Sequence, residues 1–571
     1  MYREDALKIA NSIDAQICNV LSQRKNFIVE AGAGSGKTYS LMKVIDWLQD
    51  NRASEFYKKG AKVACITFTN AAVTVINSRL KENTFIVPST IHSFAWAAMK
   101  QFQTSIITFM NENGFLPKGC VKESVKSVNY TLGIKYFDDV NSILYLGHTD
   151  IIKLFSIFLQ KKKFRDILYN KYPVILIDEY QDSNREIVEN FLNYFVSKND
   201  GIQFGFFGDS WQTIYQANNA CGLIKDKNLE VIKKSINFRS TQKIVDILNF
   251  IRPDLPQNSA LSKNDSKIFV IATDDYKGER RNDKDFKDDL PPDILEDYVD
   301  RIKEKIIKEQ SYNETLKVLM LTHRILAYQQ GYTSLFEMLG DGLKNADDDL
   351  LCYVRDFIEP LRQSIISKNI IEICEILKAN QLCAIQKKSD KKKWTGIISE
   401  IEYLEDKSIF EVLTIFKTKL LLEFPKEILF IYSNMKNQSK DSYQNTNYSE
   451  LSNVEYSEFI KAANFISVDS LYSTDHGVKG EEYDSVLFVI GRGWNWYQFD
   501  KYMPLQPIEI TEANRKAYER NRNLFYVCCS RAKKNLFLFV TIPLEDNFKK
   551  FLSKLVGKEN IISYSEFLRL D

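Results

Sequence analysis

NFIVEAGAGSGKT, residues 26–38, is the stretch whose reading decides the fold. NFIVEA is a short apolar run of the kind that forms a buried strand. A glycine-rich turn follows, and then a helical pattern through Trp47. Gly32, Gly34 and Gly36 let the backbone curl until successive N–H groups face one point, with Ala31, Ala33 and Ser35 filling the positions between. The N-terminus of the next helix adds its partial positive charge. A phosphate fits such a cradle. At this spacing Lys37 reaches the β and γ phosphates of a nucleotide, and the Thr38 hydroxyl ligates Mg²⁺. The expected ligands are therefore ATP and Mg²⁺.

Working outward, AKVACITFT (61–69), PVILIDE (173–179) and FGFFGD (204–209) read as further buried strands. Strands alternating with helical stretches predict an α/β fold with a parallel sheet covered on both faces. Residues 95–165 break that rhythm and read as a mainly helical insertion. Past residue 240 the pattern restarts. KIFVIA (267–272), KVLMLTH (317–323), YDSVLFVIG (483–491) and NLFLFVT (535–541) predict a second sheet, interrupted by a mainly helical stretch at 328–462. The charged segment 273–292 reads as a surface linker, and 433–455 as a loop too polar to pack. No internal repeat is visible by period.

A Mg²⁺ site needs a second anchor, and LIDEYQD (176–182) supplies one: an apolar strand ending in two carboxylates. Asp178 is placed to hold the ion through water, and Glu179 to orient or deprotonate an attacking water. The second carboxylate favours a hydrolase over a kinase-like reaction.

These motifs resemble, in order and along almost the whole chain, the UvrD/Rep/PcrA helicases of superfamily 1. The resemblance implies two RecA-like P-loop domains, each carrying a mainly helical insertion. The first RecA-like domain is expected at 1–94 and 166–242, with its insertion at 95–165. The second is expected at 243–327 and 463–571, with its insertion at 328–462. Gln16 resembles the family's adenine-reading glutamine. TFTNAAVTVINSRL (67–80) and STIHSF (89–94) resemble strand-contacting motifs, which implies that Phe68, Asn70 and His92 touch single-stranded DNA. FGDSWQTIY (207–215) resembles the motif whose Gln212 couples the γ-phosphate to the DNA groove, with Tyr215 on the DNA. INFRST (236–241) carries Arg239. STDHGVKGEEYDSV (473–486) implies DNA contacts from Thr474 and His476 and a ribose contact from Glu482, favoured over simple pairing with a neighbouring Lys. RNLFYVCCSRAKK (522–534) supplies Arg531 as an arginine finger. Arg239 and Arg531 reach a P-loop phosphate only if the second sheet closes on the first. The implied activity is ATP-dependent, 3′-to-5′ translocation or unwinding on single-stranded DNA.

The chain departs from the family at several points. Tyr39 stands where an Arg is usual and Phe238 where a Tyr is usual, so a Tyr39/Phe238 pair is expected to flank the base. Ala71 replaces a lysine. Ala217 replaces an aromatic, which removes a stacking platform worth about 1–3 kcal/mol of grip. Trp211 is a candidate substitute, and a place in the core is an equal reading of it. Both insertions are shorter than is usual for the family, which favours translocation over processive unwinding, and with about 40 residues after Arg531 no appended nuclease domain is expected. This compact layout is similar to the helicase-like subunit of the Gabija antiphage system, in which a UvrD-like protein partners an OLD-family nuclease. That likeness implies a second reading, an ATP-switched, DNA-sensing subunit with a nuclease partner.

Composition sets bounds on both readings. The formal charge is only +2, so nucleic acid must bind in a local groove. The nine scattered cysteines contain no CxxC pair, which predicts reduced thiols and a cytoplasmic protein, and no apolar run predicts a membrane span. His148 and His323 read as structural. The basic runs at 161–163 and 387–393 read as solvated surface.

Overall fold

The structure is a computed structural model. It describes residues 3–67, 69–80, 84–117, 120–131, 135–198, 201–213, 219–261, 265–284, 286–311, 313–320, 327, 331–340, 348–369, 372–373, 375–376, 400–401, 403–419, 424–437, 448–466, 472–474, 481–492 and 497–570. The chain is an α/β protein built on two six-stranded parallel sheets.

The first sheet contains β1 (Phe27–Ala31), β2 (Val63–Thr67) and β3 (Ile86–Thr90). A small separate sheet follows, made of β4 (Ser127–Tyr130), β5 (Tyr136–Asp138) and β6 (Ile143–Leu146). The chain then returns to the first sheet with β7 (Val174–Asp178), β8 (Gln203–Gly208) and β9 (Glu230–Lys234). The order across this sheet is β3-β2-β7-β8-β1-β9. Every residue of β1, β2, β7 and β8 is buried, as strands covered on both faces must be. Alternation divides them. Ile28, Ile66, Ile177 and Phe206 pack into one core, while Phe27, Cys65, Leu176 and Phe207 pack into the core on the other face.

A short parallel pair, β10 (Ile236–Asn237) and β11 (Asn258–Ser259), leads into the second sheet. That sheet contains β12 (Ile268–Ala272), β13 (Leu316–Met320), β14 (Tyr472–Thr474), β15 (Tyr483–Ile490), β16 (Ala532–Val540) and β17 (Ile561–Ser563). Its order is β14-β13-β15-β16-β12-β17. Counted along the chain within each sheet, both orders read third, second, fourth, fifth, first, sixth. The two halves are therefore built on one topology, a kinship that no repeat in the sequence discloses.

Three expectations change. The 95–165 stretch is mainly helical but also holds the β4-β6-β5 sheet, and it shares a core with the first large sheet. The charged 273–292 segment is no loose linker. Asp289 is buried and accepts hydrogen bonds from Thr541 Oγ1 and the Arg492 amide, and Arg280 donates to the Thr541 and Thr273 carbonyls. Within 433–455, helices run over Lys426–Lys436 and Tyr448–Leu451; residues 438–447 lie outside the described set. Among the described residues, no helix is long and apolar enough to cross a membrane.

Candidate functional site

In the first sheet β1 lies between β8 and β9, and its C-terminal end opens into the 32–36 loop. Gly34 and Gly36 sit at φ 71° and 74°, the left-handed region that side chains resist. A Cβ on Gly34 would also lie 2.6 Å from Asn237 Oδ1 and 2.7 Å from Arg239 Cβ. Gly36 is the N-cap of the helix Lys37–Lys59, which carries Lys37, Thr38 and the exposed Tyr39 in its first turn. That helix ends at Gly60, again left-handed, with Lys58 and Lys59 favourably placed against its dipole.

Two strands over in the sheet, β7 delivers Asp178 and Glu179. Glu179 takes φ 51°, an uncommon conformation for a non-glycine residue. Its Oε2 lies 2.5 Å from Lys37 Nζ and accepts from Gln181 Nε2 at 2.6 Å. Burial works against the Lys37 charge, but Glu179, Asp178 and Asp209 outweigh it and raise its pKa. The ammonium stays charged. Thr38 and Asp178 offer hard oxygen donors of the type Mg²⁺ prefers.

The second half closes over this edge. Arg239 follows β10, donates from Nε to Glu482 Oε2 at 2.8 Å and from Nη1 to the Ser530 carbonyl at 3.0 Å. Lys533 reaches the other Glu482 oxygen at 3.3 Å. Despite its partial burial, the Glu482 carboxyl is held below the usual range by Arg239 and Lys533. Arg531 is 1% exposed. Burial, with Arg239 nearby, pulls its guanidinium down to about 10, and it is close enough to feel the charge of Glu179. Its Nη2 points to Gln212 Oε1 at 3.5 Å. Lys37, Glu179, Gln212, Arg239, Glu482 and Arg531 thus share one cleft.

The remaining expected positions divide three ways. Gln16 is exposed on the helix Arg3–Ser22. Phe238 packs beside Ala6, Ile236 and Ala260, while Tyr39 lies 54% exposed with the Lys43 ammonium over its ring. His92 stands on the helix Ile91–Met99 with its ring against His148, the centroids 4.3 Å apart. His148 in turn shares a 2.7 Å hydrogen bond with the Tyr130 hydroxyl, so it joins the small sheet to the helix Ile91–Met99. Asn70 begins the helix Asn70–Asn77 and Thr474 ends β14. Phe68, Tyr215, Ala217, His323, His476 and the 387–393 run lie outside the described residues.

Trp211 is partly buried against the core of the second sheet. The Arg522 guanidinium covers its ring at 3.6 Å, and the Tyr526 ring meets it edge-on at 6.0 Å. Beside it opens a groove of about 1240 Å³, lined by Phe250, Tyr518 and Phe551 and by Lys287, Lys550 and Lys554. Trp211 itself borders the groove, and Asp254, Asp288, Asp500, Glu509 and Glu545 stand among its cations, so its charge is mixed.

Sequence reading passed over three buried groups behind the cleft. Asp209, fully buried, accepts from Gln212 Nε2 at 2.9 Å and from the Arg252 guanidinium. Arg252 also reaches Glu30 Oε2 at 3.5 Å. The Tyr526 hydroxyl accepts from the Ala33 amide at 3.1 Å. The only sequence signal was the polar residue closing the FGFFGD strand.

The AAA domain family matches residues 14–218, the stretch from just before Gln16 through the Gln212 turn. The Gabija protein GajB of Bacillus cereus (strain HuB5-5) is 23% identical, the match covering 96% of this chain and 97% of that protein. A probable DNA helicase II homolog of Mycoplasma capricolum is 22% identical over 92% of this chain and 83% of its own length. DNA helicase II of Haemophilus influenzae is 24% identical over 41% of this chain and 39% of its own length. Over almost its whole length the chain is similar to UvrD-like, superfamily 1 helicase-like proteins. Its two parallel sheets are consistent with the RecA-like P-loop domains of that family.

Proposed function

We propose that this helicase-like chain is an ATP-driven translocase on single-stranded DNA, hydrolysing ATP in the cleft between its two sheets and tracking 3′ to 5′. Its RecA-like domains are taken as 1–94 with 166–242, and 243–327 with 463–571, the stretches 95–165 and 328–462 being insertions. The observation that carries the reading is the meeting of Lys37 and Glu179 from one sheet with Arg531 from the other. In this reading the 31–38 loop binds the phosphates, Gln16, Tyr39 and Phe238 border the base, and Glu482 serves the ribose. Mg²⁺ held by Thr38 and Asp178 supplies charge neutralisation at the phosphates. Glu179 leaves Lys37 to take the proton of the attacking water, while Arg239 leaves Glu482 and joins Arg531 on the γ-phosphate. Gln212 reports phosphate occupancy to the strand, gripped by Phe68, Asn70, His92, Tyr215, Thr474 and His476 and by the Phe250–Phe551 groove.

The test is the ATPase rate with and without single-stranded DNA, with Lys37→Ala as the blank. The expected result is stimulation by DNA, and a loss of at least about 100-fold in the variant. Hydrolysis by wild type that ignores DNA would count against a motor.

A second reading is favoured by the end-to-end similarity to the Gabija protein. In it, the same ATP site is a switch in a defence complex, and the closed state regulates a partner nuclease. A rate that is flat with DNA but changes when a nuclease partner is added would select this reading.

A further inference from the structure

Behind the cleft runs an unbroken chain of hydrogen bonds joining the P-loop to the arginine of the second half. The Ala33 amide donates to the Tyr526 hydroxyl at 3.1 Å. That hydroxyl donates to Asp209 Oδ2 at 3.3 Å. The same oxygen accepts from Gln212 Nε2 at 2.9 Å, and Gln212 Oε1 faces Arg531 Nη2 at 3.5 Å. Asp209 Oδ1 is occupied separately by Arg252 and by the Trp211 amide, so the carboxylate cannot swing. Tyr526, Asp209 and Arg531 are each no more than 1% exposed. Water therefore cannot replace a missing member cheaply.

We propose that the Tyr526 hydroxyl is a positioning group which holds Gln212 in register with the P-loop, so that nucleotide occupancy and strand contact reach each other through it. This rests on the motor reading above. The chemistry at each atom supports it. Tyr526 comes from the helix Glu512–Cys529 of the second half, whereas Ala33 and Asp209 belong to the first. A single hydroxyl thus accepts from one loop of the first sheet and donates to another. Burial beside Asp209 pushes that hydroxyl up to about 12, so it remains a donor at neutral pH. Gln212 has an amide with two ends, and Asp209 can accept only from its nitrogen. Fixing Asp209 Oδ2 therefore fixes which end of Gln212 faces Arg531 and the γ-phosphate position. Any shift of the helix Glu512–Cys529 on closure moves the Tyr526 oxygen relative to both loops at once.

Tyr526→Phe deletes the hydroxyl and keeps the ring against Trp211, so the packing survives. Steady-state ATPase is measured with a poly-dT oligonucleotide, alone and on a Gln212→Ala background, with thermal unfolding as the folding control. The expected result is a fall of about ten-fold in DNA-stimulated kcat, with KM for ATP within about two-fold of wild type. In the Gln212→Ala background the same change should cost nothing further, because the two residues act as one unit. Retained stimulation in Tyr526→Phe would overturn the relay alone. So would a raised KM with kcat intact, or losses that multiply in the double variant. Wild-type hydrolysis indifferent to the oligonucleotide would overturn the motor reading, and the relay with it.

Discussion

At the scale of the residue, His92 shows how position changes what a side chain can do. Burial, with His148 beside it, pulls its pKa from 6.5 down to about 4. The imidazole is therefore neutral at pH 7, and any grip on a strand comes from its ring and hydrogen bonds rather than from charge. The sign for stability follows. The folded pKa lies below the unfolded one, so the contribution is complete above pH 6.5 and is lost as pH falls toward 4. The acid limb of stability against pH, measured by urea denaturation between pH 7 and 4, should be shallower in His92→Phe than in wild type. Identical limbs would show that this ring does not titrate in that window. Other residues divide by how far their meaning is local. The meeting of Lys37 with Glu179 was legible because the chemistry expected of a phosphate loop fixes both residue type and spacing. Tyr526 was not, since an aromatic inside a helix reads as core in any window. Its partner Asp209 lies 317 residues away, and only folding joins them. His148 read as structural for the same reason: its place against His92 depends on how the small sheet docks.

Elements show the same division. The central strands β1, β7, β8, β12, β15 and β16 announced themselves as apolar runs because both of their faces are covered. Edge strands did not. β9, EVIKK, buries only Ile232 and Lys234, and β3 buries only Ile86, so neither has a long apolar run. The β4-β6-β5 sheet is missed for a further reason: its strands are three or four residues long and half-exposed. The P-loop is the opposite case, where backbone geometry dictates the residue. Gly34→Ala would place a methyl against Asn237 and Arg239 in a conformation that costs an L side chain about 1–2 kcal/mol. The loop must then shift, and the Phe238 amide, which donates to the Gly34 carbonyl at 2.8 Å, shifts with it. Titration with a fluorescent ATP analogue should show affinity falling about ten-fold or more, with the melting temperature lowered by only a few degrees. Unchanged affinity would mean that the loop tolerates the methyl and that its glycine is dispensable.

On the scale of the whole molecule, the two sheets share one strand order, and among the described residues it is the first that carries the glycine-rich 32–36 turn. The second places Arg239 and Arg531 beside Glu482 and Gln212, so the contact between halves matters as much as either fold. Arg252 is the clearest case. It follows the helix Gln242–Ile251, which packs in the core of the second sheet, and yet its guanidinium is buried between Asp209 and Glu30 of the first. The Trp211 and Tyr526 rings flank it at 5.6 and 5.7 Å. Burial opposes its charge, but Asp209 foremost among its neighbours more than restores it, and its pKa is raised. Removing one member of such a buried pair strands the other charge, at a cost of about 3–5 kcal/mol. Because Asp209 and Glu30 sit at the ends of β8 and β1, that cost falls on the seam between the halves rather than in either core. Arg252→Ala should therefore speed hydrogen exchange at the C-terminal ends of β1 and β8 and along the helix Glu512–Cys529, while the strand centres of both sheets keep their protection. Arg252→Met, which fills much of the same volume without charge, should behave similarly, since it leaves the same two carboxylates without their cation. Faster exchange confined to the loop after Arg252, with β1 and β8 untouched, would show that the latch is local and that the halves are held together by apolar contact alone.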